Sequence, residues 1–347
     1  MTGHVVKIGK RLVGDGHPVF VIAEAGANHN RDMKTAKKLI DVAVKAGADA
    51  VKFQTYSADT LYSKKTPKPA YLNKITNDSV YDLIKKIELP REWQKELADY
   101  SKKSGIMFLS TPFDLKAVDE LYRLKVPAYK IASFELTDLQ LLEYAASKKR
   151  PMIVSTGMAS LNEVGEAVQA IYSTGNRDVV LLHCAISYPP KFKDIHLRAM
   201  QTMKNAFHVP VGFSDHTLTN SAAFAAVALG ACVIEKHFTL DRTMLGPDHP
   251  FALEPPELNA LVSGIREIEE SMGSPIKRMT ESEAELVKLR RSIVAKIPIR
   301  KGQVITEGML AIKRPALGLA PKFLKTVIGR KAQSDIDEDD FITWDKI

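Results

Sequence analysis

The feature that most constrains the fold of this chain is a series of eight short, β-rich apolar runs between residues 19 and 238. They are mostly continuous hydrophobic segments rather than strict alternations of apolar and polar residues, a pattern typical of strands buried on both faces. The runs are VFVIAEAG (19–26), AVKFQT (50–55), MFLST (107–111), AYKIAS (128–133), MIVST (152–156), VVLLHCAI (179–186), VGFSD (211–215) and CVIEKHF (232–238).

Amphipathic stretches separate most of these runs, among them 32–48, 161–174 and 256–273. Apolar residues at three- and four-residue spacing, and the closing glycines Gly47 and Gly273, predict helices there. Eight strand–helix units in roughly 270 residues match an α/β fold of the (β/α)8 type, the TIM barrel. A doubly wound open sheet is the alternative, but it normally has a Gly-rich phosphate turn after its first strand, and EAGANHN is not such a turn.

Smaller elements are predicted before and after the barrel. The stretch VVKIGKRLVGDGHP (5–18) predicts a hairpin with an Asp-Gly turn that caps the barrel floor. After a charged, helix-like connector at 278–291, the sequence changes to short strands and turns. We therefore expect a barrel domain with its hairpin at 1–275, a linker at 276–291 and a small β-rich domain at 292–347.

Charge and cysteine content narrow the class of protein. Lys and Arg outnumber Asp and Glu by 49 to 41, and this net charge of +8 suits an anionic ligand. The basic clusters are scattered and lack interleaved aromatic residues, so we expect no nucleic-acid partner. The longest apolar run, about 221–234, is too short to span a bilayer, so we expect no membrane association. Two cysteines, Cys184 and Cys232, and a start without a signal-peptide core predict a cytoplasmic protein.

Catalytic groups of barrels lie at the carboxyl ends of the strands, and here polar residues recur at these positions. Lys52 and Lys130 share the predicted barrel mouth with several hydroxyls, and their convergence predicts a site for phosphate or carboxylate. A single Ser or Thr at a strand end more often caps the following helix than binds an anion. An imine between Lys130 or Lys236 and a carbonyl substrate is the alternative. The polar strand-end residues are Glu24, Lys52, Gln54, Ser110, Thr111, Lys130, Ser133, Glu135, Ser155, Thr156, Ser214, Asp215, His216, Glu235, Lys236 and His237.

Two histidines, His216 and His237, end neighbouring predicted strands. Two neutral imidazoles, with the remaining positions taken by water or substrate, suit Mn²⁺, Zn²⁺ or Fe²⁺. The alternative is a pair of hydrogen-bonded core histidines. His183 and Cys184 are adjacent in a strand and point to opposite faces, and we expect both to be core residues.

These residues lie in strings that resemble the sialic acid synthase family, which comprises N-acetylneuraminate synthases and their legionaminate, pseudaminate and spore-polysaccharide relatives. The strings occur in the family's order and run nearly end to end. They are IAEAGANHN, DAVKFQTY, LSTPFD, YKIASFE, STGM, GFSDHT, EKHFTLDR, GPDH, RRSIVA and KRP. The resemblance implies a (β/α)8 barrel followed by an antifreeze-like β-clip (SAF) domain. It also implies a homodimer in which the SAF domain is swapped onto the partner subunit.

The resemblance implies a reaction as well. A member condenses phosphoenolpyruvate with an N-acylmannosamine-type aldose to give a nine-carbon 2-keto acid and phosphate. Carbon 3 of the enol attacks the aldehyde, water adds at carbon 2, and phosphate leaves by C–O cleavage. We expect an N-acetylneuraminate synthase, with a legionaminate or pseudaminate synthase acting on a 2,4-diacetamido-trideoxy hexose as the alternative. Two further alternatives remain: an aldolase that uses pyruvate instead of phosphoenolpyruvate, and a barrel that binds carbohydrate without catalysis.

The resemblance also assigns roles to residues of this chain. Glu135 is expected to transfer a proton to or from the attacking water, and Glu24 to support the site or contact the sugar. His216 and His237 are expected to bind a divalent ion that acts as a Lewis acid, Mn²⁺ first, with Mg²⁺ or Co²⁺ as alternatives. The expected contacts to phosphoenolpyruvate are Lys52, Thr111, Lys130, Ser133, Ser155 and Ser214. The expected contacts to the sugar are Gln54, Tyr188, Asp248 and, from the other subunit, Arg314.

The chain departs from the family pattern at three places. Arg31 stands where the family usually has the glycine that closes its NHxG string. Ile186 stands where the family commonly has an Asn or Ser that contacts the ligand, so the resemblance does not supply that contact here. KRPALG replaces the more usual KRPGxG around Arg314, and the arginine itself is kept.

Overall fold

The structure, a computed structural model, describes residues 4–68 and 77–347. The chain falls into two units, Met1–Gly273 and Ser274–Ile347. The strands are β1 (Val5–Ile8), β2 (Arg11–Gly14), β3 (Phe20–Glu24), β4 (Ala50–Thr55), β5 (Met107–Pro112), β6 (Tyr129–Ile131), β7 (Met152–Ser155), β8 (Val179–Cys184), β9 (Val211–Asp215), β10 (Val233–His237), β11 (Ser292–Ala295) and β12 (Leu310–Lys313).

Helices alternate with the strands of the first unit. They are α1 (Met33–Lys45), α2 (Ala58–Leu61), α3 (Val80–Ile87), α4 (Trp93–Lys103), α5 (Leu115–Arg123), α6 (Leu139–Ser147), α7 (Leu161–Ser173), α8 (Ala199–Phe207), α9 (Ser221–Ala228) and α10 (Pro255–Met272), with α11 (Leu324–Val327) in the second unit. Side-chain caps begin several of them: Asp32, Asp114 and Asp138 accept from backbone N–H groups at the starts of α1, α5 and α6. No helix in the described ranges is long and apolar enough to cross a membrane.

Strands β3 to β10 form one parallel sheet in the order β5-β4-β3-β10-β9-β8-β7-β6, and its end strands β5 and β6 pack against each other. The sheet is therefore a closed (β/α)8 barrel, as the sequence predicts. All eight predicted strands are present, and the three quoted helical stretches form α1, α7 and α10.

The lower interior of the barrel is apolar. Side chains alternate across a strand, so every second residue points inward, and the inward positions near the strand starts are hydrophobic. Hairpin β1–β2 packs its side chains Val6, Ile8 and Val13 into the same cluster. The cluster also contains Phe20, Ile22, Ala50, Leu109, Ala128, Ile153, Val180, Leu182, Cys232 and Val233.

Two local expectations are wrong. The hairpin turn is formed by Gly9 and Lys10 between the paired Ile8 and Arg11, while the Asp-Gly pair follows β2. Gly9 supplies the positive φ, +58°, that a tight two-residue turn demands. The helix-like connector is not an α-helix: it forms two short 3₁₀ turns, Glu281–Glu283 and Glu285–Leu289, with no buried residue. Its apolar side chains Leu286 and Leu289 are exposed, so packing does not stabilise a regular helix there.

The second unit has its own small core. Antiparallel strands β11 and β12 and isolated bridges hold it together. Its buried side chains are Ile293, Ala295, Ile299, Ile305, Leu310, Leu319, Val327, Ala332, Ile336, Ile342 and Ile347. The acidic segment near the chain end, 335–340, forms turns and one bridge here and is mostly exposed.

The packing inside the barrel predicts the effect of one added methyl group. At Gly212 in β9, a Cβ atom would lie 2.4 Å from the Val233 carbonyl oxygen and 2.7 Å from Leu182 Cδ2. Gly212→Ala is therefore expected to destabilise the protein by about 1–3 kcal/mol, measured by urea unfolding. Gly165→Ala is the matched control, since its Cβ would meet only Phe207 at 3.5 Å within helix α7. Gly165→Ala should stabilise the protein slightly, because alanine favours a helix more than glycine does. Equal changes in unfolding free energy for the two variants would contradict the tight packing described at Gly212.

Candidate active site

The upper interior of the barrel is polar, because the inward positions change character along each strand. In β3 the inward residues are Phe20, Ile22 and then Glu24; in β4 they are Ala50 and then Lys52 and Gln54. The strand register places Glu24 beside Lys52, and Gln54 beside Thr111 of β5. Polar side chains from all eight strands or the turns after them therefore converge at one end of the barrel.

A cavity opens at this polar end of the barrel, and most of the predicted site residues line it. Those that do are Glu24, Lys52, Gln54, Thr111, Lys130, Ser133, Ser155, Tyr188, Ser214, His216 and His237. Residues that line it without having been assigned a role are Ala132, Phe134, Cys184, Ile186 and Glu235. Three predicted residues are not in its wall, namely Glu135, Asp248 and Arg314.

Lys52 is fully paired. Its Nζ lies 2.8 Å from a Glu24 carboxylate oxygen, donates to Thr111 Oγ1 at 3.0 Å, and is 3.7 Å from Glu235 Oε2. Gln54 Nε2 donates to the other Glu24 oxygen at 2.8 Å. Burial raises the pKa of Glu24 to about 7, although Lys52 opposes that rise. The pKa of Lys52 is raised, because Glu235 and Glu24 outweigh the burial that would lower it.

Lys130 is held on the opposite side of Glu235. Its Nζ donates to Ser155 Oγ at 2.7 Å and to the Ile131 carbonyl at 2.9 Å, and lies 3.5 Å from Glu235 Oε1. Burial lowers the pKa of Lys130, and Lys52 contributes to that lowering while Glu235 opposes it.

Glu235 is the residue that sequence reasoning left without a role. It accepts from Ser214 Oγ at 3.0 Å and stands between the two lysines. Burial alone would raise its pKa, but Lys130 and Lys52 outweigh burial and lower it. Its place two residues before His237 on a strand was the available signal, because alternate strand residues share a face.

Lys236 does not take part in this cavity. Its Nζ lies 2.6 Å from Asp215 Oδ2 and donates to the carbonyls of Thr217 and Thr219 at 2.7 and 2.9 Å. Lys236 is not in the cavity wall, so its placement does not support the imine alternative there. Adjacent strand residues face opposite ways, which places Glu235 inside and Lys236 outside.

His216 and His237 lie side by side, with ring centroids 5.3 Å apart. Burial lowers the pKa of both, that of His216 to about 4, so both imidazoles are neutral near pH 7. His216 Nδ1 faces the Ala185 carbonyl at 3.3 Å, which leaves Nε2 for another partner. His237 Nδ1 is buried without a hydrogen-bond partner, and Asp248 Oδ2 lies 3.8 Å from it.

This pair fits a divalent ion whose other ligands are not protein side chains. Neutral imidazoles are suitable ligands, and an unsatisfied buried nitrogen is a position where an ion can replace a missing hydrogen bond. Within residues 4–68 and 77–347, no group of three or more His, Cys, Asp or Glu side chains is arranged to hold a metal ion. Water or substrate oxygens would complete the coordination of an ion held by this pair.

Cys184 and His183 have different surroundings. His183 Nε2 contacts the Ile195 carbonyl at 2.6 Å and its ring stacks on Phe213, which agrees with a structural role. The expectation that Cys184 is a core residue is incomplete: its thiol is buried but lines the cavity, 3.7 Å from His216 Nδ1. Burial raises the pKa of Cys184 to about 11, so it is a neutral thiol.

Glu135 and Asp248 lie close to the cavity without forming its wall. Glu135 follows Ser133 in the 3₁₀ turn Ser133–Glu135, and its Oε2 is buried without a hydrogen-bond partner. Burial raises the pKa of Glu135 to about 7, against the lowering effect of Lys130. Asp248 Oδ2 accepts a long 3.4 Å hydrogen bond from the Ala27 N–H. Arg314 belongs to the second unit, at the end of β12.

The two unusual residues of the barrel are accommodated locally. Arg31 has φ +52°, the left-handed conformation that favours glycine. Its N–H donates to His29 Nδ1 and its guanidinium to the Lys85 carbonyl, both at 2.9 Å. Ile186 lines the cavity and packs so closely on Gly157 that a Cβ there would lie 2.5 Å from Ile186 Cγ1.

The charge balance around Glu235 predicts a large cost for removing its charge. Glu235→Gln leaves Lys130 without its nearby carboxylate in a buried site, which should destabilise the protein by about 3 kcal/mol in urea unfolding. Asp99→Asn is the matched control, because it breaks the exposed Lys95–Asp99 pair on α4 and should leave the midpoint unchanged. Equal urea midpoints for the two variants would show that the charge of Glu235 does not stabilise the buried lysines.

Known proteins share this architecture. The NeuB family model matches residues 39–277 and the SAF domain model matches residues 290–347. The chain is 46% identical over 343 residues to uncharacterized protein MJ1065 of Methanocaldococcus jannaschii, covering 99% of this chain and 98% of that protein. It is 45% identical over 328 residues to the N,N'-diacetyllegionaminic acid synthase of Campylobacter jejuni, covering 93% and 98%.

One solved structure is similar to this chain over nearly its full length. The spore coat polysaccharide biosynthesis protein SpsE of Bacillus subtilis is 39% identical, with a TM-score of 0.69 and coverage of 99% of both chains. Relatives include synthases of legionaminic acid, pseudaminic acid and N-acetylneuraminate 9-phosphate. Family models across both units and relatives of this identity and coverage lead to one conclusion: the chain belongs to the NeuB family of synthases and ends in a SAF domain.

Proposed function

We propose that this protein condenses phosphoenolpyruvate with an unphosphorylated N-acyl aldose to give a nine-carbon 2-keto sugar acid and phosphate. The observation that carries the proposal is the convergence of two lysines and four hydroxyls at the mouth of a NeuB-family barrel. The lysines are Lys52 and Lys130, and the hydroxyls are those of Thr111, Ser133, Ser155 and Ser214.

These groups suit the phosphate and carboxylate of phosphoenolpyruvate. Hydroxyls donate to anionic oxygens, and ammonium groups add charge-assisted hydrogen bonds. In the structure Lys52 bonds to Thr111 and Lys130 bonds to Ser155, so a bound anion would take the place of contacts that the residues now make to one another. Binding can therefore reuse donors that are already oriented.

The charge balance of the cavity favours an additional cation. Within the described cavity wall the charged cations are Lys52 and Lys130, and both already face the carboxylates Glu24 and Glu235. His216 and His237 would hold a divalent ion next to them, Mn²⁺ being our first choice and Mg²⁺ or Co²⁺ the alternatives. When bound, such an ion supplies Lewis-acid polarisation of the acceptor aldehyde.

Two acceptor sugars fit this reaction. N-acetylmannosamine gives N-acetylneuraminate, while a 2,4-diacetamido-trideoxy hexose gives a legionaminate-type acid. The second is favoured by identity: 45% and 40% to two N,N'-diacetyllegionaminic acid synthases, against 36% to human N-acetylneuraminate-9-phosphate synthase. A phosphorylated acceptor is disfavoured because Lys191 and Lys193 are exposed and outside the cavity wall.

We also propose the homodimer that the family resemblance implies, with Arg314 delivered to the barrel mouth of the other subunit. Large apolar side chains are exposed in the loops after four barrel strands, namely Phe134, Met158, Leu218 and Leu245. Exposed apolar groups at one edge of a barrel indicate a surface that another chain covers. The cytoplasmic location stays a prediction.

Phosphate release tests the function. Phosphoenolpyruvate, Mn²⁺ and the purified protein are incubated with N-acetylmannosamine, its 6-phosphate or a 2,4-diacetamido-trideoxy hexose, with and without EDTA. We expect release that depends on an unphosphorylated sugar and that EDTA abolishes. Pyruvate in place of phosphoenolpyruvate, with formation of the 2-keto sugar acid as the readout, is the control for the aldolase alternative. No sugar-dependent release with any acceptor, from a folded and metal-loaded protein, would refute the proposal and favour a binding role.

The surroundings of Glu135 predict a pH profile. Burial raises its pKa to about 7, and the nearby charges are Lys130, which lowers it, and Asp138, which raises it. A carboxylate that accepts a proton from water must be ionised, so kcat should rise with pH through about 7. Glu135→Gln should lower kcat by about 100-fold or more and remove that rise, with the KM for phosphoenolpyruvate little changed.

Glu143→Gln is the control for that experiment, because Glu143 is an exposed carboxylate on the neighbouring helix α6. It should keep both the rate and the profile of the wild type. A Glu135→Gln variant with a wild-type rate would exclude Glu135 from proton transfer.

A further inference from the structure

A buried phenylalanine joins the two histidines and Tyr188 into one aromatic cluster. Phe251 ends the 3₁₀ turn His249–Phe251 after β10 and is 5% exposed. Its ring meets His237 nearly edge-on, at 5.1 Å between centroids and 67°, and meets His216 at 6.3 Å and 81°. It also lies 4.9 Å from the ring of Tyr188.

The turn that carries Phe251 is fixed to the end of β10. The Leu253 N–H donates to the His237 carbonyl, and the Thr239 N–H donates to the Leu253 carbonyl, both at 2.9 Å. The fully buried His249 bonds through Nδ1 to Thr239 Oγ1 at 2.6 Å and through Nε2 to Asn30 Oδ1 at 3.1 Å. Phe251 is therefore held in a defined place relative to His237.

Hydrogen bonds orient the two imidazoles only weakly. A ligating histidine generally donates its second ring N–H to a carboxylate, carbonyl or water, and this bond fixes the plane of the ring. Among the described residues neither ring nitrogen of His237 has a hydrogen-bond partner, with Asp248 Oδ2 3.8 Å from Nδ1, and the bond between His216 Nδ1 and the Ala185 carbonyl is long at 3.3 Å. Rotation about the last histidine torsion is otherwise broad, so packing must set the ring planes.

We propose that Phe251 is a positioning residue, whose ring sets the planes of His216 and His237 so that both imidazoles face one divalent ion, and sets the Tyr188 ring beside them. The inference rests on the proposed function, because it concerns the ion and the acceptor end of the same site. Phe251 is not in the cavity wall, so it acts through the residues that it contacts.

The test is direct Mn²⁺ binding to the full chain, measured by electron paramagnetic resonance of the free ion, with no turnover needed. Phe251→Ala should weaken Mn²⁺ binding about 10- to 100-fold, the range for residues that support metal ligands. Phe251→Leu refills most of the volume and should show a smaller loss. In steady-state assays the acceptor KM should rise in both variants, while the KM for phosphoenolpyruvate stays near that of the wild type.

Phe108→Ala is the matched control for lost packing. Phe108 is similarly buried, at 6%, but its ring stacks on Phe53 in the layer between the barrel and the helices. It should lower the urea midpoint as Phe251→Ala does and leave Mn²⁺ binding unchanged. If Phe251→Ala does not fold, Phe251→Leu decides the question.

Two outcomes would overturn the proposal in distinguishable ways. Mn²⁺ binding by wild type that His237→Ala does not weaken would remove the ion from this histidine pair, and the role of Phe251 with it. Binding that His237→Ala weakens, but that Phe251→Ala and Phe251→Leu leave at the wild-type level, would refute only the positioning role.

Discussion

Two lysines buried at the centre of a barrel are the constraint on which the rest of this site depends. An ammonium group without a partner is too costly to bury, so each lysine must meet a carboxylate. Glu24 and Glu235 meet that need at 2.8 Å from Lys52 and 3.5 Å from Lys130. Glu235 lies on β10 and Glu24 on the adjacent β3, which pairs with the strand of Lys52, β4. The register of these three strands therefore fixes the distance between Lys52 and its carboxylates. The apolar layer beneath them and the hairpin hold that register.

The same balance bears on the proposed binding of phosphoenolpyruvate. Because Lys52 and Lys130 already face carboxylates, a phosphate and a carboxylate entering together would add negative charge that these lysines offset only in part. Burial raises the pKa of Glu24 to about 7, so this carboxyl can take up a proton and offset some of that charge. Under the proposed function, the neutral histidine pair next to this cluster would hold the divalent ion that supplies further positive charge.

Sequence reasoning could predict the barrel and most of the cavity wall, because both depend on local patterns. Apolar runs identify strands, and strand ends identify the mouth, so Lys52, Thr111 and Ser214 follow directly. It left Glu235 without a role, although alternation along β10 places Glu235 on the same face as His237, because the two lysines that Glu235 pairs with lie on other strands and only the folded barrel brings them together. It likewise missed Phe251, which lies in a loop and has no chemistry of its own. Sequence reasoning also placed the hairpin turn at Asp15–Gly16 instead of Gly9–Lys10, because both pairs are good turn signals.

Arg31 and Ile186 show how a departure from a family pattern can leave the rest of a site in place. Arg31 has a left-handed backbone, φ +52°, which glycine adopts most readily, and two hydrogen bonds at 2.9 Å hold it there. Ile186 fills space against Gly157, so its side chain is part of the wall rather than a free replacement for a polar contact. Under the proposed function, an apolar wall at that point leaves anion binding to the hydroxyls and lysines on the other strands. Those groups are rigidly placed by the barrel, and a loop residue is the position at which the site can change without disturbing the buried charges.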